Sequence, residues 1–387
     1  LHQKGEKLIN KRILSLLLYC ILFFCLFGCS SGEQDSDNKL GNGWVPSGSL
    51  PLQYATQFEV DYYDGGYSLI SVSDGSKFLV VPENAPVPDG VSKNITVLQQ
   101  PIDNVYLVAT ASMCLFDALE SLDCISLSGT KSEDWYLQNA RTSMENGEII
   151  YAGKYSAPDY ELILSSGCRL AIESTMITHT PEVKKKLEEL GVSVIVDQSS
   201  YEKHPLGRTE WMKLYAVLVG KEALAESLFR EQTQLLEAVL GLESTGKTVA
   251  FFYMSPSGYA VARKSGDYVT KMIELAGGEY IFQNLGDSET ATSTVNLEME
   301  SFYATARDAD FIIYNSTVAG GLTSMEEFLG INTLLADFKA VKEGNVWCTG
   351  KNMFQETTQL GLMISDIHEM LCDDGTLAQL NFMYKLT

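Results

Sequence analysis

Two runs of alternating strand and helix patterns, separated by one long helical stretch, restrict the folds open to this chain of 387 residues. In the first run, Val105-Tyr-Leu-Val-Ala, Cys124-Ile-Ser-Leu, Glu148-Ile-Ile-Tyr-Ala, Leu170-Ala-Ile-Glu and Val192-Ser-Val-Ile-Val are short apolar segments of strand length. Ser112 to Leu122, Asp159 to Ser166 and Pro181 to Leu190 read as helices between them. Pro181 suits a first helical position and Gly191 a helix stop. The second run has strands at Val249-Ala-Phe-Phe-Tyr-Met, Tyr259-Ala-Val-Ala-Arg, Phe311-Ile-Ile-Tyr and Val346-Trp-Cys. Its helices read as Asp267 to Leu275, Leu297 to Arg307 and Gln355 to Leu371. Alternation of this kind predicts parallel sheets covered by helices on both faces. Between the runs, Met212, Tyr215, Leu218, Leu224, Leu228, Leu235 and Val239 fall near one stripe of a helical pattern that only Gly220 interrupts. A single helix from Arg208 to Leu240 would span about 45–50 Å and act as a rigid strut. The expected organisation is an α/β lobe over 51–206, a linker helix over 207–243 and an α/β lobe over 244–387. Ahead of the first run, Tyr54 to Val81 alternates in a β pattern broken by Asp64-Gly65-Gly66 and by Ser73-Asp-Gly-Ser, and is expected to decorate the first lobe.

The first residues carry Lys4, Lys7, Lys11 and Arg12, then an apolar run from Ile13 to Phe27. A basic flank followed by a short apolar core describes a secretory signal. The run is shorter than the roughly 20 residues a membrane-spanning helix needs, and no hydrophobic period continues beyond Ser30. Leu26-Phe27-Gly28-Cys29 resembles the bacterial lipoprotein signal. That resemblance implies removal of residues 1–28, lipidation of Cys29 and an extracytoplasmic protein anchored to the cell membrane, with 29–50 as a flexible tether rich in Ser, Gly, Asp and Asn. A diacyl group supplies the two chains that stable anchoring requires.

The formal net charge is −22, and the signal segment removes more Lys and Arg than acid. Nucleic acid is therefore excluded as a partner, because phosphate binding needs a basic face. Hydrophobic residues make up 45% of the chain, enough for real cores. Beyond Cys29 the cysteines are Cys114, Cys124, Cys168, Cys348 and Cys372, an odd number with no C-x-x-C pair, which is neither a disulfide framework nor a zinc ribbon. Small buried hydrophobes are the expected role, with one bridge left open.

Gly241-Leu-Glu-Ser-Thr-Gly246-Lys247-Thr248 spells a phosphate-binding loop. Such a loop must leave a strand and open a helix, so that helix N–H groups face the anion. Here a helix precedes and a strand follows, so the segment reads as a helix-stop turn. His179, His204 and His368 are far apart and form no H-x-x-x-H or H-E-x-x-H pattern, so no metal site and no cofactor are expected. No G-x-S-x-G or S-x-x-K stands in a usable context, which argues against an enzyme. The 19 Tyr and 16 Phe suit a large, partly apolar ligand as well as core packing.

These features resemble the helical-backbone (class III) substrate-binding proteins of ABC importers, which take up iron-siderophores, haem and cobalamin. The stretches that carry the resemblance are Pro158-Asp-Tyr-Glu-Leu-Ile-Leu-Ser-Ser-Gly-Cys-Arg-Leu-Ala-Ile, Gly207-Arg-Thr-Glu-Trp-Met-Lys-Leu, Gly258-Tyr-Ala-Val-Ala-Arg with Ile273-Glu-Leu-Ala-Gly-Gly, and Glu300-Ser-Phe-Tyr-Ala-Thr-Ala-Arg-Asp-Ala-Asp-Phe-Ile-Ile-Tyr. The resemblance implies two Rossmann-like lobes joined by one long α-helix, with the ligand cleft between the lobes. It implies a monomer that captures a metal chelate and delivers it to a permease with ATPase subunits. Strand ends facing such a cleft would carry Met113, Trp135, Tyr136, Glu173, Ser174, Thr175, His204, Tyr259, Arg263, Asn315, Ser316 and Met353 as ligand-binding residues. Glu161 on the first lobe and Glu300 on the second, with Glu298 as the alternative to Glu300, match the acidic positions that dock onto permease arginines. An extracytoplasmic enzyme or a ligand-free scaffold on the same fold are the competing readings.

Overall fold

A computed structural model describes residue 40 and residues 44–286 and 294–387. The signal segment, Cys29 and most of the 29–50 tether lie outside the described residues. Residues 46–87 and 93–387 form one compact unit, to which the following refers.

The unit opens with a five-stranded sheet, β1 (Gly48–Ser49), β2 (Phe58–Tyr63), β3 (Tyr67–Val72), β4 (Lys77–Val81) and β5 (Ile95–Gln99). Neighbouring strands pair in that order, antiparallel except for β4 with β5. Alternation along β2 to β4 turns Phe58, Val60, Ile70, Val72, Phe78 and Val80 into the core of the first lobe. The expected decoration is thus a sheet of its own, packed on that lobe.

The first lobe continues with β6 (Val105–Leu107), α1 (Thr110–Ala118), β7 (Ile125–Ser128), α2 (Gln138–Glu145), β8 (Ile150–Tyr151), the hairpin β9 (Gly153–Lys154) and β10 (Ala157–Pro158), α3 (Tyr160–Ser165), β11 (Leu170–Ser174), α4 (Pro181–Glu189) and β12 (Ser193–Asp197). Its main sheet has the order β12-β11-β6-β7-β8, parallel throughout, as the alternation predicts.

The long helical stretch is two helices, α5 (Pro205–Val219) and α6 (Glu222–Leu240). Gly220 ends α5 in the left-handed region at φ 69°, a conformation that costs glycine little and other residues more. The chain then folds back, so that the Lys213 ammonium lies 2.9 Å from the Glu226 carboxylate and 4.6 Å from the Phe229 ring centre. The expected strut of 45–50 Å is therefore corrected to a helical corner whose longer arm is about 28 Å. Trp211 to Leu218 lie in the first lobe's core, while Phe229, Leu236 and Val239 of α6 pack into the second lobe's. α6 is the element that crosses between lobes.

The second lobe contains β13 (Thr248–Met254), β14 (Ala260–Arg263), α7 (Tyr268–Leu275), β15 (Glu279–Tyr280), β16 (Thr294–Leu297), α8 (Met299–Ala306), β17 (Phe311–Tyr314), α9 (Ser316–Ala319), α10 (Met325–Ile331), α11 (Lys339–Lys342), β18 (Val346–Thr349), α12 (Leu360–Cys372) and β19 (Met383–Lys385). Its sheet has the order β16-β14-β13-β17-β18-β19, with β15 beside β13. β13, β17 and β18 are parallel, β14 and β19 run against them, and β16, antiparallel to β14, runs with them. The terminal helix starts at Leu360 rather than Gln355, because Met353–Gln355 and Thr357–Gln359 are 3₁₀ turns. α6 packs against α12 so closely that a Cβ on Gly361 would sit 2.4 Å from the Gln232 carbonyl oxygen. α6 ends at Leu240 and β13 starts at Thr248, so the Gly241–Thr248 loop has the helix-then-strand order read from its sequence. Among the described residues no helix is long and apolar enough to cross a membrane.

Candidate functional site

The carboxyl ends of the parallel strands of the two sheets meet. The turn after β18 reaches the loop after β7, with Lys351 Nζ 6.0 Å from the Tyr136 ring centre and Gln355 bonded to the backbone. Gln355 Oε1 accepts the Tyr136 N–H at 2.7 Å, and its Nε2 donates to the Asp134 carbonyl at 2.8 Å. The following 3₁₀ turn packs on α1, and Thr209 Oγ1 of α5 donates to the Thr357 carbonyl at 2.8 Å. A doubly wound sheet offers ligands the crevice at this end of its strands, where loops rather than helices cap it.

Basic and aromatic groups gather beside this contact. Arg263, at the end of β14, pairs with Asp267 at 3.2 Å and holds its guanidinium 5.1 Å from the Phe354 ring centre. Arg208, in the first turn and a half of α5, stacks 4.1 Å over Tyr268, the first residue of α7. Among the described residues no carboxylate lies within ion-pair distance of Arg208. Burial pushes the Tyr268 hydroxyl up, against the pull of both guanidiniums. In so acidic a chain, two arginines around one tyrosine make a local positive site suited to an anionic group.

The sequence-derived residues divide by exposure. Tyr136 is exposed, and Ser174, Thr175, Tyr259 and Arg263 are partly exposed. Ser174 Oγ accepts the Met176 N–H, and Thr175 Oγ1 lies 3.2 Å from Ser200 Oγ. Met113 and Trp135 are buried together in the first lobe's core, and Met353 in the second's. Asn315 and Ser316 are buried at the end of β17, where Ser316 Oγ donates to the Thr349 carbonyl and Thr317 Oγ1 to Asn315 Oδ1. His204 caps α5: its Nδ1 accepts the Leu206 N–H at 3.1 Å, and its ring stacks on Tyr54 at 4.1 Å. Burial lowers the His204 pKa to about 4, keeping the ring neutral near pH 7. Glu173 is fully buried, both its oxygens lack hydrogen-bond partners among the described residues, and burial raises its pKa to about 8. Strand alternation turns it toward Tyr106 and Tyr160 rather than toward α1, so it sits under the outer helices. Glu161 and Glu300 are exposed in the first turns of α3 and α8, and Glu298 is exposed just before α8.

Residue patterns alone missed Arg208, Gln355 and three exposed apolar side chains: Met176, Tyr201 and Val318. Met176, Tyr201 and Val318 follow the carboxyl ends of β11, β12 and β17, and that position was the available signal. Asp197, at the end of β12, takes hydrogen bonds from Ser112 Oγ and Tyr215 OH, each at 2.5 Å, tying β12 to α1 and α5. Among the described residues no three His, Cys, Asp or Glu could hold a metal ion together.

A family model described as periplasmic binding protein matches residues 110–353. The span starts at α1 and leaves out the five-stranded sheet. An uncharacterised lipoprotein of Methanocaldococcus jannaschii is 27% identical over 403 aligned positions, covering 95% of this chain and 92% of the relative. The haem-binding protein HutB of Vibrio cholerae superposes with a TM-score of 0.56 at 17% identity, over 68% of this chain and 98% of that one. A structure from an Fe3+-hydroxamate transport system of Saccharomonospora viridis gives 0.54 at 17% identity, over 70% and 94%.

Proposed function

Because this chain belongs to the periplasmic binding protein family, we propose that it is the extracytoplasmic substrate-binding protein of an ABC importer. It captures a metal chelate (an iron-siderophore, haem or a cobalamin) between its lobes and delivers it to the permease. The observation that carries this reading is the meeting of the two sheets' carboxyl ends, latched by Gln355 and flanked by Arg208 and Arg263. The names of the haem-binding and hydroxamate-transport neighbours support the ligand class. Tyr136, Ser174, Thr175, Tyr259 and Arg263 contact ligand together with Arg208, Met176, Tyr201 and Val318. Met113, Trp135, Asn315, Ser316 and Met353 form the walls behind them, and His204 and Glu173 act from within the fold. The chain carries out no chemistry on its ligand.

In this reading lipidation of Cys29 holds the monomer at the membrane, and the ATPase subunits belong to the transporter. Glu161 and Glu300, one acid on each lobe, meet permease arginines. Each also sits where a helix N-terminus favours negative charge.

The test is the thermal melt of the full chain in detergent against haem, cobalamins, and hydroxamate, catecholate and carboxylate iron chelates. A ligand at a hundred times its Kd stabilises the native state by about 2.7 kcal/mol. A saturable shift with one class is expected, and silence across the panel overturns the ligand class. Loss of a charge-assisted bond in Arg208→Ala should weaken an anionic ligand about tenfold or more. Glu161→Lys with Glu300→Lys should abolish uptake and leave ligand affinity intact, and a fall in affinity would sink the docking assignment.

A further inference from the structure

α12 carries a pair of side chains that the cleft does not use. His368 and Cys372 lie one helical turn apart. His368 Nδ1 is 2.9 Å from the Ala276 carbonyl oxygen, which only a ring N–H can satisfy, so the proton sits on Nδ1. Nε2 is then the acceptor nitrogen, and its lone pair faces the Cys372 thiol at 3.5 Å. Cys372 is exposed, whereas Cys114, Cys124, Cys168 and Cys348 are buried. Burial pushes the thiols of Cys114, Cys124 and Cys348 up to about 12.

We propose that His368 and Cys372 form a two-ligand site for a zinc-class divalent cation, separate from the chelate cleft. Zinc bonds sulfur at about 2.3 Å and imidazole nitrogen at about 2.0–2.1 Å, so a tetrahedral angle sets the two atoms about 3.5 Å apart. The observed separation already matches that bite. A backbone carbonyl on the far ring nitrogen is the outer support that metal-bound imidazoles have, fixing tautomer and ring plane.

The surroundings favour a cation. The pair lies in the last turn of α12, where unpaired carbonyls present the negative end of the helix dipole. Glu369 and Asp374, next to the pair in sequence, are exposed, with Asp374 Oδ1 accepting the Thr376 hydroxyl at 2.8 Å and Asp373 occupied by Lys385 at 2.9 Å. Among the described residues no third His, Cys, Asp or Glu joins the pair, so the remaining coordination positions fall to water. Binding displaces the thiol proton to solvent and moves no electrons.

A plain S–H to nitrogen hydrogen bond would span the same distance, and cobalt spectroscopy separates the two. The full chain, reduced and metal-free in detergent, is titrated with Co2+ and then with Zn2+. The expected result is one Co2+ per chain, with a thiolate-to-cobalt charge-transfer band that Zn2+ removes. Cys372→Ser should abolish the band, and His368→Asn should weaken zinc binding about tenfold or more. Cys372→Ser, at an exposed side chain, should keep the wild-type melt in the absence of metal, whereas His368→Asn also gives up the ring's bond to the Ala276 carbonyl and is read by its zinc affinity. Absence of the band in the wild-type chain, or its survival in Cys372→Ser, overturns the proposal.

Discussion

The first lobe buries its glutamates in two places with opposite consequences. Where the five-stranded sheet joins the lobe, Glu202 and Glu210 are fully buried but saturated with donors. Glu210 accepts the backbone N–H groups of Gln53, Tyr54 and Ala55 at 2.7–3.1 Å, with the Lys213 ammonium at 3.0 Å. Glu202 accepts those of Thr56 and Gln57, the Thr56 hydroxyl and the Trp211 indole N–H. Five consecutive amides of the segment between β1 and β2 are thus satisfied by two carboxylates. Under the outer helices, Glu173 is equally buried and has no hydrogen-bond partner among the described residues. Burial therefore does not determine what an acid does: the donors around it do.

The largest expected effect follows from removing a saturated acid. Glu210→Ala strands three amides and takes one of its two carboxylate partners from Lys213, and should destabilise the lobe by about 3–5 kcal/mol in denaturant titration. A loss under about 1 kcal/mol would break the comparison, since it would mean that water replaces the carboxylate freely.

Glu173 should respond in the opposite direction. Its native pKa lies near 8, against an unfolded value of about 4.3. Between those values the native state holds a proton that the unfolded state has released, so stability falls as pH rises, by up to about 1.4 kcal/mol per unit. The loss is complete above pH 8 and absent below about pH 4. Glu173→Met should remove this slope and stabilise the protein by about 2 kcal/mol at pH 8. A variant that is less stable than wild type at pH 8 would show that Glu173 has a partner after all.

The smallest effect tests redundancy at the junction. Trp211→Phe deletes one donor to Glu202 and keeps the aromatic packing against Phe58. The other donors remain, so a cost of about 1 kcal/mol is expected, read from the melting midpoint.

Much of the fold was legible in the chain because strands and helices write their period locally. Pro181 and Gly191 bracket α4 as read, and the β runs at Leu170, Val192, Val249 and Phe311 became β11, β12, β13 and β17. Gly220 was visible as an interruption, but the fold-back it permits depends on Lys213 meeting Glu226 across the corner. The site was legible in part. Arg263 and Tyr136 could be placed at strand ends and loops, whereas Arg208 gains its role only when α5 packs beside α7 and Tyr268. Glu173 read as a strand-end residue facing a ligand, and only the sheet's packing put it beneath α3 and α4.

By itself the sequence determined two α/β lobes, an acidic exterior and the residues at each strand's end, because these depend on periodicity, composition and local stop signals. Tertiary structure alone decided which strand ends face each other, which acids are satisfied and where the connecting helix turns. Those outcomes rest on hydrogen bonds between groups 145 to 157 positions apart at the sheet junction, and on one glutamine spanning 219 positions at the cleft. No local pattern encodes such partners, because a side chain's donors are set by whatever the folded chain brings within about 3 Å of it.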